Sequence, residues 1–135
     1  MPIVSDFIHI QGDGNGDPGS NVRIGDGNIV REWTFQTGGR HANGTAYIVL
    51  MVKGMTVTDN HAEVRLNNQH LGYILNNKGG SVNEWQTQIL SFTGDRLNNG
   101  SNELEIHGVT YTGGGNDNFD DFYLRNIICH FHQSA

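Results

Sequence analysis

Short runs of alternating apolar and polar residues, each cut off by glycine and asparagine, recur along this chain and leave little room for anything but a β fold. Ala62, Val64 and Leu66 share one face of an extended segment while Glu63 and Arg65 share the other, which is the period-2 pattern of a half-buried strand. Leu104 and Ile106 oppose Glu103, Glu105 and His107 in the same way. Ala46–Val52 is apolar on both faces, as suits a strand at the centre of a sheet. No segment holds an apolar i, i+3, i+4, i+7 stripe over three helical turns. The punctuation is dense: 19 glycines and 16 asparagines make up about a quarter of the 135 residues. Both favour turns, glycine because φ > 0 costs it little and asparagine because it tolerates the left-handed region. They concentrate in 11–28, 67–83, 94–102 and 113–118. The runs between predict strands at 3–10, 29–36, 45–53, 61–67, 70–75, 84–92, 102–110 and 121–132, with Asn67-Asn68 as a two-residue hairpin turn. About eight short strands in a chain of this length predict an all-β, two-sheet antiparallel sandwich of the jelly-roll type. Without a linker or an internal repeat, residues 1–135 read as one domain.

A lone cysteine, Cys129, excludes an internal disulfide, so this fold must rest on its core. Set between Ile128 and His130 in a predicted strand, it reads as a buried, inert thiol. The net charge is −6, and the eight Lys and Arg residues are scattered. Nucleic-acid binding works through clustered cations on phosphates, so no nucleic-acid partner is expected. The longest apolar run is far short of the roughly 20 residues that cross a bilayer, so no membrane insertion is expected. Met1-Pro2 leads directly into Ile3-Val4-Ser5-Asp6 without a basic segment and an apolar one behind it. No secretory signal is therefore expected, and a cytoplasmic location is the default.

Two polar loops carry the chemistry. In Gly12-Asp13-Gly14-Asn15-Gly16-Asp17-Pro18-Gly19, Asp13, Asn15 and Asp17 offer three oxygen ligands to a hard cation at alternate positions. The spacing opens like an EF-hand loop and then departs from it, with Pro18 in place of the turn glycine and Ile24 in place of the bidentate glutamate. A solvated Asx-turn loop accounts for the same residues. Gly113-Gly114-Gly115 precedes Asn116, Asp117, Asn118 and the acidic pair Asp120 and Asp121. Sugar sites combine amides and carboxylates, which bind hydroxyls, with an aromatic ring against the apolar face of the sugar. Asn116, Asp117 and Asn118 with Tyr73 and Trp85 supply both, although core packing is the ordinary role of a tryptophan. His130 and His132 share a strand face and would need a third ligand such as His107 to hold zinc. Glu103 and Glu105 form a minimal carboxylate pair, which the charged outer face of a strand explains better than glycosidase chemistry. No G-x-S-x-G, H-E-x-x-H or phosphate loop is present, and no enzymatic activity is expected.

Three stretches resemble the galactose-binding-domain-like jelly roll, the fold of many carbohydrate-binding modules. Ala62–Ile74 is similar to that family's V-x-L-N-G-x-x-L-G strand–turn–strand pattern, with Asn68 at the usual turn glycine. Leu97–Ile106 resembles its L-x-x-G-x-N-x-L-x-I stretch, and Asp120–Ile128 its closing strand after an acidic loop. The resemblance spans roughly 45–132. It implies a lectin-like module that binds a glycan through loops at one edge, with avidity from multivalency. It also implies a structural Ca²⁺ held between an early loop (Asp13, Asn15, Asp17) and Asp120 and Asp121. The same sandwich serves structural modules. Self-association into a homo-oligomer, or docking of a protein partner, is therefore the alternative expectation.

Overall fold

The structure, a computed structural model, describes residues 3–11, 22–38, 44–56, 61–76, 81–110 and 119–134. Nine strands run through these residues: β1 (Ile3–Gln11), β2 (Val22–Ile24), β3 (Val30–Thr37), β4 (Thr45–Lys53), β5 (Ala62–Leu66), β6 (Gln69–Ile74), β7 (Gln86–Thr93), β8 (Gly100–His107) and β9 (Phe122–Ser134). They form two antiparallel sheets. One has the order β1-β9-β4-β7, with β2 also paired to β9, and the other the order β3-β8-β5-β6. The predicted all-β sandwich is the fold found, with one strand more than the eight expected. The addition is β2, three residues of Val-Arg-Ile too short to show an alternation. It pairs with Phe122–Leu124 on the edge of β9 that β1 occupies further along.

Alternation does the sorting. Ala46, Ile48, Leu50 and Val52 of β4 face Val64 and Leu66 of β5 and Leu104 and Ile106 of β8 across one continuous buried core. Placing Ala46–Val52 centrally holds, since β4 is bonded to β9 on one edge and β7 on the other. The 13-residue β9 changes its inward phase part-way along. It resets at Asn126, whose φ is 55° and where the pairing with β4 shifts register. This bulge keeps Phe122 and Leu124 inward before it and Ile127, Cys129 and Phe131 inward after it. The hairpin between β5 and β6 turns through Asn67 and Asn68, with φ of 52° and 64°, both left-handed as a type I′ turn requires.

A buried amide fastens this hairpin to the rest of its sheet. Asn102, only 2% exposed, donates to Thr37 Oγ1 and to the Asn98 and Gly100 carbonyls. It accepts from Asn98 N–H (2.7 Å) and from Asn67 Nδ2 (2.9 Å). Asn67 in turn accepts from Glu103 N–H and donates to the Arg96 carbonyl. The asparagine in the motif Leu97–Ile106 is thus a hub that joins β3, β8 and the β5–β6 turn.

Candidate functional site

The edge strands of the two sheets, β6 and β7, lie beside each other along one flank of the sandwich and leave a groove of about 430 Å³ between them. That volume falls within the range of small-ligand sites. On the β6 side stand Tyr73, which is 48% exposed, Leu75, and Asn76, which is 9% exposed. On the β7 side stand Gln86, Gln88, Ile89 and Leu90. The groove is therefore lined by one aromatic ring, aliphatic side chains and three neutral amides.

Local sequence explains each position. Tyr73 faces outward because Gly72 and Ile74 on either side of it lie opposite the buried Val64 and Ala62, while Tyr73 itself lies opposite Glu63 in the ladder. The rings of His70 and His61 approach its own at 4.8 and 5.7 Å. Gly72 lets the two sheet edges close up: a Cβ there would stand 2.8 Å from Leu90 Cδ2. On β7 the inward register runs Phe92, Leu90, Gln88, Gln86, so its apolar face gives way to amides where it leaves the core. Gln88 bridges the sheets. Its Oε1 accepts from Leu75 N–H at 3.0 Å and its Nε2 donates to the Leu75 carbonyl at 2.6 Å, as a neighbouring strand would. Nε2 also reaches Gln86 Oε1 at 3.3 Å. Asn76 Oδ1 is buried and has no hydrogen-bond partner among the described residues. A buried acceptor left unpaired costs about 1–3 kcal/mol, so this oxygen has unspent bonding capacity beside a ligand-sized space.

Charges are kept on the outer face of the four-stranded sheet. His70 Nδ1 lies 2.8 Å from Glu63 Oε2, and this bond, with the nearby Arg65 guanidinium, holds the Glu63 carboxyl below its ordinary range. Glu105 is likewise lowered by its bond to His107, while Glu103 is raised by its hydrogen bond to Glu105. Glu32 of β3 joins these two, so the pair read from sequence is a cluster of three carboxylates on an open sheet face.

The sequence-predicted residues divide. Tyr73 lines the groove. Trp85 does not join it: the Arg125 guanidinium lies 4.1 Å and the Lys53 ammonium 5.8 Å from its ring centroid. The expected pair of rings is thus split, because Trp85 precedes β7 and turns onto the outward cations of β4 and β9. Asn116, Asp117 and Asn118 lie outside the described residues, as do Asp13, Asn15 and Asp17. Asp120 is buried, its carboxylate accepting from Thr56 N–H (2.7 Å) and Thr56 Oγ1 (3.1 Å). Asp121 takes Arg23 Nη1 at 2.8 Å and Asp26 N–H at 2.9 Å. A cation at that oxygen would have to compete with the Arg23 guanidinium, and the other three residues of the expected Ca²⁺ set lie outside the described residues. The zinc trio does not assemble. His130 and His132 stand on the outer face of the five-stranded sheet and His107 on that of the other. Cys129 is fully buried, and desolvation pushes its thiol up to about 12.

Asn76, Gln86 and Gln88 escaped the sequence reading, although a signal existed. Two glutamines on the core-facing register of a strand break the alternation that its other residues obey, and such breaks mark functional or strained positions.

No family model matches the chain, and no curated protein sequence matches it. Solved structures match in fold. The exo-β-1,3-galactanase of Phanerochaete chrysosporium superposes with a TM-score of 0.51 at 16% identity, over 94% of this chain and 26% of that one. A β-porphyranase of glycoside hydrolase family 86 from Bacteroides plebeius gives 0.51 at 8% identity, over 84% and 20%. A cyclase from Fischerella sp. TAU gives 0.52 at 11% identity, over 97% and 75%. This chain thus spans about a quarter of the galactanase and a fifth of the porphyranase. Likeness at these identities shows the fold, which is the jelly-roll sandwich implied by the three sequence motifs.

Proposed function

We propose that the protein is a carbohydrate-binding module whose sugar site is the groove between β6 and β7. The observation that carries this reading is the exposed Tyr73 ring beside the neutral amides of Asn76, Gln86 and Gln88 in a space of about 430 Å³. The ring packs against the C–H face of a sugar, and the amides of Asn76 and Gln86, which keep unspent groups among the described residues, bind its hydroxyls. Preformed walls keep the ordering cost low, since Gln88 is already fixed to the Leu75 backbone. Binding without bond cleavage is the reading, because no carboxylate pair is found among the described residues that line the groove. Two of the structures with this fold act on glycans, a galactan and a porphyran by their names, which supports a sugar ligand. A glycan array with and without EDTA tests the reading and its Ca²⁺ element together. Saturable binding that Tyr73→Ala weakens by about tenfold, a typical loss for a central aromatic contact, is expected. Loss of that binding in EDTA would support the Ca²⁺ set of Asp13, Asn15, Asp17, Asp120 and Asp121, and silence across the array would refute the sugar site.

A second reading is favoured by the outer face of the five-stranded sheet. Phe7 and Ile89 are 60% and 59% exposed there, beside half-buried Tyr47, Val49 and Ile128. An apolar sheet face of this kind suits self-association or a protein partner. Light scattering that gives a stable oligomer, dispersed by Ile89→Lys, would support it.

A further inference from the structure

We infer that the groove between β6 and β7 selects uncharged sugars and rejects uronates and sulfated glycans, an inference that rests on the sugar-binding reading above. The described residues of its wall, Tyr73, Leu75, Asn76, Gln86, Gln88, Ile89 and Leu90, include no charged group. A carboxylate or sulfate bound here would give up its hydration with no lysine or arginine among the described wall residues to replace it, and an uncompensated buried charge is strongly disfavoured. The surroundings add to the penalty. Arg65 and His70, beside Tyr73 on the same sheet face, are already spent on Glu63 Oε2 at 3.3 and 2.8 Å, and the chain as a whole carries a net charge of −6. The unspent groups suit hydroxyls. Asn76 Oδ1 lacks a donor among the described residues, and a hydroxyl can supply one once the amide turns to meet it. Gln86 spends its oxygen on Gln88 and keeps its amide nitrogen unspent among the described residues, ready for a sugar oxygen. The groove therefore presents one acceptor and one donor, both neutral, flanking an aromatic face. An uncharged pyranose with a continuous C–H face has the complementary pattern.

Affinity electrophoresis through gels containing neutral galactan, arabinoxylan, polygalacturonate or carrageenan tests the inference, run in low and in high salt. The expected result is retardation by a neutral polysaccharide only, little changed by salt, and weakened about tenfold by Tyr73→Ala and by Asn76→Ala. Melting curves recorded on both variants separate loss of binding from loss of fold. In Gln86→Lys, a cation in the wall should bring polygalacturonate binding that fades at high salt. Retardation of the unaltered protein by polygalacturonate or carrageenan, abolished by Tyr73→Ala, would overturn the selectivity and leave the sugar site standing. Neutral binding indifferent to both alanine variants would remove it from this groove and overturn the inference. No retardation by any of the four would overturn the sugar reading and the inference with it.

Discussion

Asn102→Ala should be among the most destabilising single changes in this protein, although it removes only a small polar side chain. The amide makes five hydrogen bonds in a site from which water is excluded, three as donor and two as acceptor. Each is worth a net ~1 kcal/mol, but the five do not add in full. Thr37 Oγ1 keeps its 2.6 Å bond to the Asn98 carbonyl, and Asn67 Nδ2 keeps the Arg96 carbonyl. What is stranded is chiefly the Asn98 N–H and the Gly100 carbonyl, together with a small void between β3 and β8. The net loss is about 3 kcal/mol, a large share of the roughly 5–15 kcal/mol typical of a domain. Urea unfolding followed by tryptophan fluorescence reads it directly. With a slope of about 1.5 kcal/mol/M, the midpoint should fall by about 2 M. Asn102→Asp sharpens the test. Its carboxylate still accepts from Asn98 and Asn67, yet it sets an anionic oxygen against two carbonyls that had received N–H donors. The folded-state pKa of the introduced carboxyl must rise above its unfolded value. That group therefore contributes stability below the unfolded pKa, and this is lost as pH rises through the folded one. The variant should be weak at pH 7 and regain part of its stability on acidification. A loss under about 1 kcal/mol for the alanine, or an aspartate variant as stable as the parent at pH 7, would refute the hub.

Three further outcomes follow from the same geometry. Cys129, with its thiol pushed to about 12 by burial, should resist thiol reagents in the native protein at pH 8 and react fully in urea; fast native labelling would contradict its burial. Gly72→Ala should cost about 1 kcal/mol, the low end of overpacking because the obstructing Leu90 methyl is mobile, and should weaken sugar binding more than its melting shift implies; unchanged binding would remove Leu90 from the working groove. His130 lies buried between the rings of Tyr47 and Phe7, and desolvation lowers its pKa. A lowered pKa gives stability that is present above the unfolded value of about 6.5 and lost as pH falls through the folded one. Unfolding midpoints measured from pH 7.5 to 5 should therefore drop less steeply in His130→Phe, and parallel curves would refute the assignment.

Alternation sufficed for the sheets because burial on one face fixes register, so Ala62–Leu66 and Leu104–Ile106 could hardly be read another way. The Asn67-Asn68 turn was legible for a similar reason: few residue pairs tolerate two consecutive left-handed conformations. β2 was not, since its three residues are held by β9 and by the Arg23–Asp121 and Asp26 contacts rather than by any pattern of their own. The acidic pair before β9 illustrates a different limit. For Asp120 and Asp121 sequence shows the acceptors and hides the donors. Thr56 and Arg23, 64 and 98 residues away, are the groups that take them up.

The groove lies beyond sequence for a geometric reason. Tyr73 could be singled out alone, as an aromatic on an outward register, but a ring becomes a site only when a second wall stands opposite it. That wall is β7, which belongs to the other sheet and meets β6 only because both strands are last in their sheets. Strand order is set by which edges are left after the core is buried, a property of the whole assembly. The same logic separates Trp85 from Tyr73. The two residues are close in sequence, yet one turns toward the flank and the other toward Arg125 and Lys53. What sequence does retain is the exception to its own rule. Gln86 and Gln88 occupy positions where the alternation of β7 calls for apolar side chains, and they do so on the flank where the two sheets leave space between them. Amides that a core would reject are tolerated there because Gln88 satisfies itself on the Leu75 backbone. A strand that abandons its apolar face before it ends has left the core for another partner, and in this fold that partner is the groove.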